Sequence, residues 1–139
     1  MSVGEADRAP VLRAVFAVPG DPETPTGGYA YARQLLARGG EAGLALEPWP
    51  LPGGFPDPGP DALAEAARRL SLTPAGWPVI IDGLALGVLP PRTIRSVDGP
   101  VHALCHHPLR LETGLSAERA AALVRSERAA LAECAGVIA

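Results

Sequence analysis

Short apolar runs alternate along the chain with segments of mixed polarity. Four of these runs are typical of buried strands, since they are rich in aliphatic residues and end at Pro, Gly or a carboxylate. They are residues 11–18, 44–47, 77–82 and 101–106. Residues 48–60 hold six prolines and three glycines, which predicts a long surface loop rather than a regular element.

Between the apolar runs lie segments with helical periodicity. Leu63, Ala66, Ala67 and Leu70 have the i, i+3, i+4, i+7 spacing of a buried stripe. The predicted helices are residues 29–38, residues 61–70 with an Asp61 cap, a short turn or helix at 84–89, and residues 117–134 with a Ser116 cap. Gly136 is expected to end the last of these.

The resulting order, β, α, β, α, β, short α, β, α, predicts the α/β fold class. We expect a Rossmann-like parallel sheet with helices on both faces, because such sheets connect their strands through helical crossovers. Residues 11–139 are predicted to form one domain after a flexible leader at residues 1–10. Residues 137–139 read as the opening of a further strand, so we expect a fragment of a longer protein.

Composition excludes some classes of function. The net charge is −3 and all 12 basic residues are Arg without a basic run, which argues against a nucleic-acid partner. No window approaches the roughly 18 apolar residues of a membrane span, and the start has no signal-peptide pattern, so a cytoplasmic location is expected. Cys105 and Cys134 form no CxxC motif and are expected to be buried small residues.

Residues that can carry chemistry fall at or after predicted strand ends. Open parallel sheets bind ligands at the carboxyl ends of their strands. The candidates are Gly27 and Gly28, Asp82, His106 and His107, and Glu112. The chain has neither GxGxxG nor a Walker A loop, which argues against dinucleotide and ATP sites, and it lacks the GxSxG elbow of an α/β-hydrolase.

Each candidate has a functional and a structural interpretation. Gly27 and Gly28 either open a helix whose N–H groups meet an anion or form a tight turn. Asp82 is either a ligand-binding carboxylate or part of an Asp-Gly turn, and Glu112 either faces the cleft or is a solvated loop charge.

Adjacent residues on a strand point to opposite faces, so at most one of His106 and His107 is expected to face the cleft. That imidazole could hydrogen-bond a sugar hydroxyl near neutral pH, whereas the alternative is a buried structural histidine. A Cys-His-His run lacks zinc-ligand spacing, so no metal site is expected.

Four segments in this order carry a resemblance to a known family. They are VFAVPGDPETPTGGYAYARQLLARG, VIIDGLALG, HALCHHPLRLETGL and SERAALAECAGVIA. Together they resemble the amino-terminal domain of GT-B glycosyltransferases of the retaining, family 4 (group 1) type. The resemblance spans almost the whole chain.

The resemblance implies transfer of a sugar, with retention, from a UDP- or GDP-sugar to a glycan, lipid or small-molecule acceptor. It implies that Gly27 and Gly28 meet the donor diphosphate and that His107, or in second place His106, contacts the donor sugar. Asp82 and Glu112 are implied only as acceptor or cleft residues. No cofactor is expected beyond the donor. A missing carboxyl-terminal domain would hold the nucleotide, so this chain alone should be inactive; a peripheral location at the inner membrane stays open.

Two other classes remain as alternatives. A non-catalytic α/β binding module of flavodoxin-like type would use the glycines and histidines as turn and core residues. A nucleotide-sugar epimerase is disfavoured, because the chain lacks both GxGxxG and a Tyr-x-x-x-Lys motif.

Overall fold

The computed structural model describes residues 12–20 and 27–139, and within them the strands form one parallel sheet. The strands are β1 (Leu12–Pro19), β2 (Leu44–Leu51), β3 (Val79–Asp82), β4 (Val101–Leu104) and β5 (Gly136–Ile138). Their order across the sheet is β2-β1-β3-β4-β5. The predicted α/β class with a Rossmann-like parallel sheet is therefore confirmed.

Helical segments connect the strands. The α-helices are α1 (Gly27–Arg38), α2 (Pro60–Ser71), α3 (Gly83–Leu86), α4 (Pro91–Arg95) and α5 (Ala117–Leu131), and short 3-10 turns cover Gly39–Ala42 and Leu109–Leu111. No helix in the described ranges is long and apolar enough to cross a membrane. The predicted leader at residues 1–10, the first residue of the predicted strand at residues 11–18, and residues 21–26 lie outside the described residues.

The helices divide between the two faces of the sheet. The connection from β1 to β2 crosses the sheet in one direction, and every later connection crosses it in the other direction. Because parallel strands are joined by right-handed crossovers, α1 lies on one face of the sheet and the other helices lie on the opposite face. On the α1 face, Phe16, Val18 and Leu104 pack with Ala32 of α1. On the other face, the buried core joins the sheet to the remaining helices; it includes Val15, Ile81, Leu70, Leu86, Ile94 and Ala130.

The predicted loop at residues 48–60 is wrong at its start, because β2 continues through Pro48 and Pro50 to Leu51. In this edge strand, the carbonyls of Gly43 and Leu51 accept hydrogen bonds from the N–H groups of Leu12 and Gly20. The backbone groups of odd-numbered residues therefore point toward β1, whereas those of Pro48 and Pro50 point away from it, to the open edge of the sheet. No neighbouring strand pairs with that edge, so the N–H groups that these prolines lack cost the sheet no hydrogen bond. The prolines also discourage pairing of this edge with another chain.

Other boundaries differ from the prediction. α5 ends at Leu131, and Gly136 is the first residue of β5 rather than a helix end. β4 ends at Leu104, two residues before His106. Asp61 lies in the first turn of α2, whose cap position is Gly59, whereas the Ser116 cap is confirmed by a 3.0 Å hydrogen bond from the Arg119 N–H to Oγ. Cys105 and Cys134 are partly exposed rather than buried.

The backbone at Gly99 lies close to the backbone at Trp77, before the first residues of β4 and β3. This contact predicts how a substitution at Gly99 changes the free energy of unfolding. A Cβ at Gly99 would overlap the carbonyl of Trp77, and this neighbour is backbone that cannot rotate away. Gly99→Ala should therefore lower the free energy of unfolding by about 1–3 kcal/mol, as overpacking does. Urea denaturation measures the change.

Gly53→Ala is the matched control, since a Cβ there meets no heavy atom within 4 Å. Equal denaturation midpoints for the two variants would contradict the close approach at Gly99.

Candidate functional site at the carboxyl edge of the sheet

The strand order creates a topological switch point beside β1. β1 lies between β2 and β3, and the connections that leave β1 and β3 diverge to opposite faces of the sheet. In open α/β sheets, ligands bind at such a switch point, outside the carboxyl ends of the strands. Gly27 and Gly28 are the first two residues of α1, the helix that follows β1, so their backbone lies at this edge.

Asp82 is the last residue of β3 and is a buried carboxylate, with 5% of the residue exposed. Its Oδ1 accepts a hydrogen bond from the Leu84 N–H at 3.0 Å and thereby caps α3. Its Oδ2 lies 3.4 Å from Nε2 of His106. Burial raises the pKa of Asp82, while the Leu84 N–H and His106 act in the opposite direction.

Gly83 allows β3 and β4 to end close together. A Cβ on Gly83 would lie 2.8 Å from the carbonyl oxygen of Leu104 and 3.4 Å from Cα of Cys105. These neighbours are backbone atoms, so a side chain at this position would force the two strand ends apart. The sequence left open whether Asp82 and Gly83 form a turn or bind a ligand. In the structure, the absence of a side chain at Gly83 lets the end of β3 approach the end of β4, so that Asp82 can contact His106.

His106 projects on the same face of the sheet as α1. Ile80 and Leu104 both pack with the α1 cluster, and Asp82 and His106 each follow one of them by two residues. Cys105, the residue between, packs against the core of the opposite face. Since side chains alternate along β3, Asp82 lies on the side of the sheet that carries α1, and the 3.4 Å approach to Asp82 places the His106 ring there as well.

His107 has a different partner. Its Nε2 lies 2.7 Å from Oε1 of Glu112, which is the cap residue of the 3-10 turn at Leu109–Leu111. The His107 side chain is 47% exposed and that of Glu112 31%, so this pair lies at the surface. The adjacent histidines are thus each held by a separate carboxylate.

The loop that carries His107 and Glu112 is anchored to the α5 side of the sheet. Leu109 is buried, and its N–H donates to Oε2 of Glu127 in α5 at 3.1 Å. Its side chain occupies the space that a Cβ on Gly87 would need. A loop fixed in this way presents the pair of His107 and Glu112 in a defined position.

The predicted candidates therefore fall into three groups. Asp82 and His106 are brought together on the α1 face, and His107 and Glu112 are brought together on the loop after β4. Gly27 and Gly28 open α1 at the same carboxyl edge of the sheet.

Sequence reasoning missed a surface cavity of about 330 Å³ between the loop after β2 and α5. Arg119 lies in it and donates to the carbonyl of Pro56 at 3.1 Å and to Oδ1 of Asp57 at 2.5 Å. Leu63, Val88 and Leu123 form its apolar part. These residues come from separated parts of the chain with no motif spacing, so the sequence held no signal for this cavity.

The chemistry available at the carboxyl edge is hydrogen bonding and proton exchange by imidazole–carboxylate pairs, beside the positive end of α1. Within residues 12–20 and 27–139, no group of three or more His, Cys, Asp or Glu residues could hold a metal ion. Comparisons with protein-family models, with curated proteins and with solved structures found no match to this chain.

The burial of Asp82 predicts a pH dependence of stability. Its pKa in the folded chain is raised above the ordinary value of 3.8, so above pH 3.8 the folded state binds more protons here than the unfolded state. The contribution of this group to the free energy of unfolding is present below that pH and is lost as pH rises through the raised pKa. Relative to the wild type, Asp82→Asn should therefore gain stability as pH rises, measured by urea denaturation at several pH values.

Glu47→Gln removes a carboxylate at an exposed position of β2 and is the control. A difference between wild type and Asp82→Asn that stays constant with pH would refute the raised pKa of Asp82.

Proposed function

We propose that this chain is the acceptor-side domain of a retaining GT-B glycosyltransferase that uses a UDP- or GDP-sugar. The observation that carries the proposal is the position of an imidazole–carboxylate pair, His106 and Asp82, on the same sheet face and at the same edge as a helix that opens with two glycines. This arrangement supplies groups for a sugar and for a diphosphate in one crevice.

The start of α1 suits the diphosphate of a nucleotide sugar. The first N–H groups of a helix have no partner within the helix, and the helix dipole places partial positive charge there. Glycines at positions 27 and 28 let an anion approach these N–H groups closely. Such donors stabilise the negative charge that develops on a departing diphosphate, which is electrostatic stabilisation of the transition state.

The geometry favours His106 over His107 for contact with the donor sugar. His106 lies beside Asp82, the last residue of β3, whereas His107 is held by Glu112 on a loop packed toward α5. A neutral imidazole can accept a hydrogen bond from a sugar hydroxyl at one nitrogen while the other is oriented by a carboxylate. In this proposal Glu112 and His107 line the acceptor side of the cleft.

Transfer would require a second domain that binds the nucleotide and closes over this edge, and this chain alone is proposed to be inactive. The acceptor is a glycan, a lipid or a small molecule. We place the enzyme in the cytoplasm, with peripheral contact to the inner membrane where the acceptor is a lipid.

The proposal is tested on the polypeptide translated from the complete reading frame that contains these residues. It is incubated with a panel of UDP- and GDP-sugars, and the anomeric configuration of any product is read by proton NMR. We expect transfer with retention. His106→Ala should lower kcat roughly tenfold to a hundredfold, which is the loss expected for one strong hydrogen bond. Gly28→Val should raise KM for the donor by obstructing the helix start.

His107→Ala is the matched histidine variant and should cost less than His106→Ala. A larger loss in His107→Ala would reverse the assignment of the two histidines, and absence of transfer from every nucleotide sugar would contradict the proposed function.

A second candidate is a flavodoxin-like binding module. The order β2-β1-β3-β4-β5 is the one that flavodoxin-type sheets use to bind a mononucleotide at the point between β1 and β3. This candidate predicts that the 139-residue chain binds FMN stoichiometrically, which quenching of flavin fluorescence would detect.

A further inference from the structure

The surface cavity between the loop after β2 and α5 is lined by opposite charges and by aliphatic side chains. Its volume is about 330 Å³, at the lower end of the roughly 300–1,000 Å³ that small-ligand sites have. Arg119 and Asp57 supply the charged part, and Leu63, Val88 and Leu123 supply the apolar part. The proposed nucleotide-sugar site uses none of these residues, so the cavity is a separate feature of the chain.

The guanidinium of Arg119 is oriented by the protein but is only partly used. Its Nη2 donates to the carbonyl of Pro56 and to Oδ1 of Asp57. An arginine has five N–H donors, and within residues 12–20 and 27–139 the donors on Nε and Nη1 have no partner. The Arg119 side chain is 39% exposed, so a ligand in the cavity can reach it. A donor group that is already oriented loses little conformational freedom when it binds.

The acceptors of the cavity are also only partly used. Oδ1 of Asp57 accepts from Arg119, whereas Oδ2 has no partner in the described part of the chain, and the side chain is 71% exposed. Ser126 lies in the cavity wall, and its hydroxyl donates to the carbonyl of Gly87 at 2.6 Å. A hydroxyl that donates still has lone pairs with which it can accept. The cavity therefore offers acceptors to a cation beside donors to an anion.

The direct contact between the two charges restricts the class of ligand. An anion at Arg119 would lie close to the like charge of Asp57, and a cation at Asp57 would lie close to the like charge of Arg119. Both placements are unfavourable at short range. A molecule with a carboxylate and an ammonium side by side avoids both repulsions, because each of its charges lies on the opposite charge of the pair. In an α-amino acid the two groups are attached to one carbon, which matches an ion pair in direct contact.

We propose that this cavity binds an α-amino acid with an aliphatic side chain. The carboxylate of the ligand accepts from Nε or Nη1 of Arg119. Its ammonium donates to Oδ2 of Asp57 and to Oγ of Ser126, and its side chain lies against Val88 and Leu123. The site is independent of sugar transfer, so either proposal can fail without the other.

The test is a titration of the 139-residue chain with L-leucine, followed by backbone amide NMR. Saturable shifts are expected at Val88, Arg119, Leu123 and Ser126. Two analogues share the hydrocarbon of leucine, but isocaproate lacks the ammonium and isoamylamine lacks the carboxylate. Each analogue should bind at least about tenfold more weakly, which is the loss expected for one charge-assisted hydrogen bond. Absence of saturable shifts with leucine, or equal binding of leucine and either analogue, would overturn the proposal.

Two variants separate charge recognition from a merely structural role. In Asp57→Asn the repulsion of a lone anion is removed, so isocaproate should bind more tightly than it binds to the wild type, while leucine binds more weakly. In Arg119→Gln leucine should bind at least about tenfold more weakly, while isoamylamine binds more tightly than it binds to the wild type. Asp57 is an exposed loop residue, so its variant keeps the test decisive if Arg119→Gln does not fold.

Arg125→Gln is the matched control for Arg119→Gln, since Arg125 is an exposed arginine of the same helix and is not part of the cavity wall. This variant should bind leucine with the affinity of the wild type. An equal loss of leucine binding in Arg125→Gln and Arg119→Gln would overturn the assigned site. Unchanged affinity for isocaproate in Asp57→Asn would overturn the recognition of both charges.

Discussion

The buried carboxylate of Asp82 is the group on which the arrangement of the carboxyl edge depends. One of its oxygens accepts a hydrogen bond from the Leu84 N–H and so caps α3, and the other lies 3.4 Å from Nε2 of His106, which follows β4. A carboxylate placed at 5% exposure is costly unless it is hydrogen-bonded, and the cost appears here as a raised pKa. The chain keeps this unfavourable placement at the end of a core strand, where a neutral residue would pack more easily.

The backbone around Asp82 makes the contact possible. Gly83 brings the end of β3 against the carbonyl of Leu104, and the His106 ring lies beside Asp82 at the end of β3. His107 is directed to Glu112 on a loop that Leu109 and Glu127 anchor to α5. Two neighbouring histidines therefore occupy different environments because the strand ends between Leu104 and His106, and not because of any difference in their own chemistry.

Local patterns were enough to predict the fold class and the elements that have strong periodicity, such as α2, α5 and the apolar strands. They were not enough at Pro48 and Pro50, because the tolerance of a strand for proline depends on its being at an edge, which only the assembled sheet decides. The positions of Asp82 and His106 at strand ends were visible in the sequence, but their contact was not. It requires the register in which Asp82 lies beside Leu104, a pairing between segments separated by a helical crossover. The cavity around Arg119 had no sequence signal for the same reason.

The central claim is that the carboxyl edge on the α1 face binds the ligand. The most direct test is to titrate the 139-residue chain with inorganic pyrophosphate, a probe for the diphosphate group, and to follow backbone amide signals by NMR. The account predicts saturable shifts centred on Gly27 and Gly28, extending to Asp82 and His106. Shifts centred on Arg119 instead, or no saturable shift at the start of α1, would contradict it.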